Sequence, residues 1–293
     1  MHAKRYTLKK TNKNLAIFSF KHHKNKRASG ANVINKVAYR LRTKATYTDF
    51  ETGEIINRYH KPNDNEQIID LGVYGAPKHL QDPFVWAKEI EKAENRKNST
   101  VCREFIVALP RELSIEDMKK AVDDLIQETI KKHGMTAHAT IHYSKNNPHV
   151  HILFSEKIFN KKTNKFGKKS RIYTAKGTDS LKYAREAWAT IANKYLKPHN
   201  AKISHLSHED RGITEIEPTK PVGHHSSTKN PTPEVIQHNK IQTDKRNELL
   251  ETDLKFNAKY LGILNQKIID YGIQKYLEIK TLIEIKSKPP KNS

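Results

Sequence analysis

The stretch Asn-Asn-Pro-His-Val-His-Ile-Leu-Phe-Ser, residues 146–155, sets His149 and His151 two positions apart in an alternating run. In an extended strand such residues share a face, and two neutral imidazoles on one face can supply half of a metal site. Sixteen histidines in 293 residues make one such pair expected about once by chance, so the pair alone decides nothing. His142 adds weight. It lies seven residues before His149, across the turn-like connection Tyr-Ser-Lys-Asn-Asn-Pro at 143–148. Residues opposite each other in an antiparallel pair are about 5 Å apart, so a register that aligns His142 with the pair brings three imidazoles to one point. The other reading is three separate histidines on a basic surface. His138 shares the face of His142 but sits about 13 Å along the strand, too far for the same ion. His205 and His208 form a weaker second pair, followed by acidic residues and an arginine.

The charge of the chain suggests what such a site would act on. Fifty-four Lys and Arg against 32 Asp and Glu leave a net +22, which draws polyanions, nucleic acid above all. A divalent ion with open positions suits a phosphoryl oxygen, which it polarises in an in-line displacement. A water nucleophile would make a nuclease, whereas a side chain would keep the strand attached and allow religation. Tyr39 is the candidate. Around the helical segment 32–44 the core stripe is Ile34, Val37, Ala38 and Leu41, and Tyr39 falls about 140° from Ile34, beside Asn32, Asn35, Lys36 and Arg42. Arg40 and Arg42 could hold the phosphate or favour the phenolate. The plainer alternative is a half-exposed tyrosine with no such task. Lys161, Lys162, Lys165, Lys168, Lys169 and Arg171, with Phe166 and Tyr173 nearby, make a DNA-binding segment, since charges track phosphates and rings stack on bases. Tyr47 and Tyr59 flank a short hairpin pattern around Gly53, and either could stack on a base.

These residues need a scaffold, and the sequence spells one. Residues 15–23 read as a strand and 29–45 as a helix with Ser29 as N-cap. Asp82 and Pro83 open another helix. Residues 102–110 read as a strand closed by Pro110, and Ser114 and Asp117 resemble a capping box before a helix that Gly134 ends. Residues 136–144 and 148–156 form a hairpin, and a helix over 180–196 completes the series. Hairpin strands interleaved with helices argue α+β: an antiparallel central sheet covered by helices, plus a C-terminal helical tail.

Residues 1–225 hold 42 basic and 24 acidic side chains, and residues 226–293 only 12 and 8. The polar segment His-His-Ser-Ser-Thr-Lys-Asn-Pro-Thr-Pro-Glu at 224–234 reads as a linker, so a first domain is expected over 1–225 and a linker with a helical tail over 226–293. In the tail, Leu250, Leu254, Leu261, Leu264 and Ile268 recur at helical spacing, and Asn257 and Gly272 weaken the pattern. Cys102 is the only cysteine, which excludes internal disulfides and cysteine-rich zinc sites. With no apolar run of about 18 residues and no export signal, a cytoplasmic protein without membrane insertion is expected.

The segments Ser-Gly-Ala-Asn-Val-Ile-Asn-Lys-Val-Ala-Tyr-Arg at 29–40, 47–59 around Gly53, Cys-Arg-Glu-Phe-Ile-Val-Ala-Leu-Pro at 102–110, the histidine hairpin at 142–156, and 184–218 with His-Glu-Asp-Arg-Gly-Ile occur in the order seen in MobA/MobL-type plasmid mobilisation relaxases. The chain resembles that family over roughly residues 15–223. These are HUH endonucleases, named for histidine, a hydrophobic residue and histidine. The resemblance implies site- and strand-specific nicking and religation of single-stranded DNA at a plasmid origin of transfer, through a 5′-phosphotyrosyl intermediate. Carried over by motif, Tyr39 is the nucleophile; His142, His149 and His151 hold a divalent ion, Mg²⁺ or Mn²⁺; and Glu104 orients a histidine or acts as a base. Family members often carry a second acidic residue two positions on, where Ile106 stands here. Accessory mobilisation proteins and a transfer coupling protein are the implied partners. A rolling-circle replication initiator uses the same chemistry, but usually with the histidines ahead of the tyrosine. A non-catalytic basic DNA-binding protein is the alternative from another class.

Overall fold

The structure, a computed structural model, describes residues 17–207 except 63 and 175–177, and beyond them residues 210, 217, 220, 232–245 and 248. The chain divides into two compact units, Met1–His205 and Leu206–Ser293.

In the first unit the elements run β1 (Phe20–Lys26), α1 (Val33–Leu41), β2 (Lys44–Thr48), β3 (Ile55–Tyr59), β4 (Gln67–Tyr74), α2 (Pro83–Ala93), β5 (Thr100–Ala108), α3 (Ile115–Thr129), β6 (Ala137–Tyr143), β7 (His149–Phe154), β8 (Lys157–Asn160), β9 (Lys165–Lys169) and α4 (Thr178–Leu196). Five strands form one sheet in the order β1-β5-β7-β6-β4, every neighbouring pair antiparallel. The pairs β2–β3 and β8–β9 stand apart as two-stranded ribbons. This is the α+β architecture expected from the alternation of hairpins and helices.

Strand alternation divides the core in two. On one side Phe105, Val107, Ile141, Val150, Ile152 and Phe154 pack with Met118, Val122, Leu125 and Ile126 of α3 and Trp188 of α4. On the other, Cys102, Leu153 and Val73 pack with Val33, Val37 and Ala38 of α1 and Trp86 and Ile90 of α2. Each large apolar side chain buried this way contributes about 1.5–3 kcal/mol. The inner strands are therefore clamped on both faces, and the polar groups they carry have fixed positions.

Most helix starts follow the caps legible in the sequence. Asp82 accepts from the backbone N–H of Phe84 and Val85, with Pro83 in the first turn, and Ser114 accepts from the N–H of Asp117 at 3.1 Å. Helix α1 differs. Gly30 takes a left-handed conformation (φ 71°) that breaks the chain after a 3-10 turn over Arg27–Ser29, so Ser29 cannot cap α1. Asn32 does, its side chain accepting from the Asn35 N–H at 3.0 Å.

In the second unit residues 233–245 are helical. Asn239 and Gln242 on that helix hold the backbone of Lys220 and Glu217 by hydrogen bonds of 2.7 and 2.9 Å. Leu250, Leu254, Leu261, Leu264 and Ile268 lie outside the described residues, as does most of the linker segment. No helix among the described residues is long and apolar enough to cross a membrane.

Candidate metal centre and nucleophile

The hairpin β6–β7 sets the register on which the site depends: His142 lies directly opposite His149, and Thr140 opposite His151. The three imidazole centroids are 5.3 Å (142–149), 4.6 Å (142–151) and 5.1 Å (149–151) apart. One ring nitrogen from each falls within 4.8 Å of the others, and no other group of His, Cys, Asp and Glu among the described residues converges this way. His138 points into the α2 side and pairs with Asp70 at 2.9 Å. His205 joins no such group, and His208 lies outside the described residues.

Hydrogen bonds to backbone carbonyls and to Glu104 fix one nitrogen of each imidazole and turn the other inward. His149 donates Nδ1–H to the Asn147 carbonyl (2.8 Å), and His142 donates Nε2–H to the Arg40 carbonyl (2.8 Å). Nδ1 of His151 lies 2.7 Å from Glu104 Oε1. The inward lone pairs are Nε2 of His149 and His151 and Nδ1 of His142, the last approached by Arg42 Nη2 at 3.4 Å, and a divalent cation would take that guanidinium's place. Burial, then the neighbouring His151, pushes the His142 pKa down to about 4, and burial also lowers that of His151 against the pull of Glu104. Both are neutral at pH 7, the form that ligates.

Glu104 anchors the site from below. Its Oε1 accepts from Arg40 Nε at 2.8 Å as well as from His151, and it is ion-paired with Arg40. Burial alone would raise this carboxyl, but the Arg40 guanidinium and the His151 hydrogen bond hold it down at about 2. With one oxygen so engaged, the carboxylate is built to orient His151. Arg40 is itself buried beneath the histidines.

Tyr39 is half-buried on α1, its ring at 87° to that of His151 with centroids 6.4 Å apart. Arg42 closes α1 in a left-handed conformation (φ 52°), and its guanidinium lies 4.6 Å above the Tyr39 ring. Glu66 holds that guanidinium by hydrogen bonds of 3.0 and 2.9 Å and places Oε1 3.3 Å from His142 Nδ1. A cation on the histidines would therefore meet a guanidinium already neutralised.

The sequence reading missed Glu66 and His60. Glu66 shares strand parity with Ile68, which lies opposite His142, so the register of β4 would have revealed it. His60, whose ring is 5.4 Å from that of Tyr39, follows β3 and carried no signal of its own.

The basic segment over 160–171 runs from the last residue of β8 through the turn and β9 to two residues beyond. Lys161, Lys162, Lys165, Lys168 and Arg171 are exposed on it, whereas Lys169 turns inward to Glu94 (2.9 Å) and Glu156 (3.7 Å). Tyr59 is 62% exposed on the other ribbon, while Tyr47 packs beside the α1 core.

Residues 32–231 match the model of the MobA/MobL family. A probable mobilization protein MobA of Bifidobacterium longum is 27% identical over 198 residues, covering 53% of this chain and 35% of that protein. A conjugal transfer protein TraA of Rhizobium radiobacter is 28% identical over 229 residues, 67% of this chain and 20% of its own length. Mobilization protein A of Escherichia coli is 28% identical over 170 residues, 52% and 24%. The chain thus spans about a third or less of the curated relatives it matches. A solved structure described as the molecular basis of vancomycin resistance transfer in Staphylococcus aureus shares the fold, with a TM-score of 0.53 and 24% identity over 66% of this chain and 100% of that one. With the family model covering most of its length, the chain belongs to the MobA/MobL family.

Proposed function

We propose that this chain is a metal-dependent relaxase. It nicks and religates one DNA strand at a plasmid origin of transfer through a 5′-phosphotyrosyl intermediate, and so starts mobilisation. The observation that carries the reading is the meeting of Tyr39 with a converged trio of histidines, its ring 6.4 Å from that of His151. His142, His149 and His151 would hold a divalent ion, Mg²⁺ or Mn²⁺, which would supply positive charge at the scissile phosphate. Glu104 keeps His151 in the ligating tautomer. Arg42, poised over the Tyr39 ring, meets the phosphate that Tyr39 attacks. Tyr39 takes the 5′ side of the break, a 3′-OH leaves, and the same groups run the reverse step.

The exposed Lys161, Lys162, Lys165, Lys168 and Arg171 track the single strand. The names of the relatives, mobilization and conjugal transfer, support an origin of transfer as the target and, with it, accessory mobilisation proteins and a transfer coupling protein as partners, in the cytoplasm. Single-stranded DNA tiled across the noncoding sequence that adjoins the chain's own coding region, incubated with Mn²⁺, should give a covalent adduct on denaturing gels. Chelator should abolish it. An adduct formed equally well in EDTA would refute the metal dependence, and its persistence in Tyr39→Phe would refute the nucleophile.

A further inference from the structure

Beside Tyr39 stands a histidine that the metal cluster does not use. His60 is fixed through its backbone N–H, which donates to the Thr43 carbonyl at 3.2 Å, and its Nε2 lies 2.8 Å from Asn35 Oδ1. An amide oxygen only accepts, so Nε2 carries the hydrogen and Nδ1 keeps a lone pair. Asn35 sits on α1 one turn before Tyr39 and therefore on the same helix face. The His60 and Tyr39 rings meet at 84° with centroids 5.4 Å apart.

We propose that His60 is the base that takes the phenolic proton of Tyr39, and that Asn35 is the positioning residue that fixes its tautomer. The proposal rests on Tyr39 being the nucleophile. The neighbouring groups are otherwise engaged: Glu104 offers Oε1 to both Arg40 and His151, Glu66 is bound to Arg42, and the imidazoles at 142, 149 and 151 face one another. Burial, with Arg42, Arg40 and Arg58 facing the ring, keeps the His60 pKa below its usual value, so the imidazole is neutral at pH 7 and able to accept. In cleavage the Tyr39 O–H proton passes to His60 Nδ1 as the new P–O bond forms. The 3′ oxygen leaves with the electron pair of the broken bond and is protonated by solvent. In religation the 3′-OH attacks and loses its proton to solvent, Tyr39 leaves, and His60 returns the proton to it.

The test is single-turnover cleavage of the tiled single-stranded DNA at saturating Mn²⁺, followed against pH, with Tyr39→Phe as the control. His60→Gln should cleave about 10²- to 10⁴-fold more slowly with DNA binding intact, the usual worth of a general base. Imidazole should restore part of the rate to His60→Ala. In the wild type the rate should fall on the acid side as His60 takes a proton. Asn35→Asp keeps the acceptor and adds a charge, so that acid limb should move up by about one pH unit. A rate for His60→Gln within about threefold of wild type, or an unmoved limb in Asn35→Asp, overturns the proposal. Because no adduct in Tyr39→Phe establishes the nucleophile separately, failure here leaves that reading standing. Should His60→Gln fail to fold, ring-nitrogen NMR of the wild type decides: a neutral ring with hydrogen on Nε2 is expected, and hydrogen on Nδ1 would overturn the assignment.

Discussion

Arg103 and Glu104 are consecutive on β5, equally buried, and turned to opposite faces of the sheet. Each is the centre of a buried charge cluster. Arg103 bonds Glu156 at 2.6 Å and lies 3.2 Å from His22 Nε2, while Lys169 bridges Glu156 and Glu94. That cluster is closed, because its acids and bases answer one another. Glu104 binds Arg40 and His151 just as tightly, but beyond His151 the cluster opens onto two further imidazoles, His142 and His149, and onto Tyr39. Buried charge therefore does not by itself mark a site on this protein. What marks it is valence that the fold leaves unused.

That contrast can be broken by mutation. His149→Ala or His151→Ala should lower cleavage on the order of 10³-fold. Filter binding to single-stranded DNA should change little, because affinity there draws on many Lys and Arg contacts. Losing both together would instead make the histidines part of the binding surface. Glu104→Gln keeps the shape and removes the charge that orients His151, and should cost about 10- to 100-fold in metal affinity or activity. Arg103→Met is the counterpart on the closed side. Each of these two strips one partner from a buried ion pair and should destabilise the fold by about 3–5 kcal/mol in urea. Only Glu104→Gln should lose cleavage per folded molecule. Equal losses in both would erase the distinction.

Acid sharpens the same comparison. Burial, then Arg103, lowers the His22 pKa from 6.5 to about 4, so the unfolded chain binds that proton more readily. Its contribution is full above pH 6.5 and is lost as pH falls toward 4. Glu104, depressed from 4.5 to about 2, contributes fully above about pH 4.5 and loses its share as pH falls through 2. Urea unfolding against pH should therefore show His22→Gln flattening the upper window and Glu104→Gln the lower. The reverse assignment would contradict the two environments. The smallest effect is expected from the tail: we propose that a chain ending at residue 225 cleaves within about twofold of the full protein, since residues 226–293 add little charge for holding DNA. A dead but folded truncation would put the tail inside the nicking unit.

Periodicity and caps were enough to read the helices, the histidine hairpin and β5, but not β4, the strand beside β6 in the same sheet, nor the β8–β9 ribbon. The pairing of His142 with His149 follows from a loop of fixed length between alternating strands, and such local rules survive folding. Glu66 and His60 were not legible, because each reaches Tyr39 or His142 through pairings distant in sequence. The inward turn of Lys169 escaped for the same reason: within a basic run nothing local separates the lysine that meets Glu94 from those that meet solvent. The Ser29 cap failed on one residue, Gly30, whose left-handed backbone moved the helix start to Asn32.

The residue to which the DNA becomes attached decides between these mechanisms. After incubation of the wild-type protein with the tiled single-stranded DNA and Mn²⁺, nuclease and protease digestion followed by mass spectrometry should find a nucleotide joined through its 5′ phosphate to the peptide that contains Tyr39. A nucleotide on Tyr47, on Tyr59 or on any other residue, with Tyr39 unmodified, would contradict Tyr39 as the nucleophile.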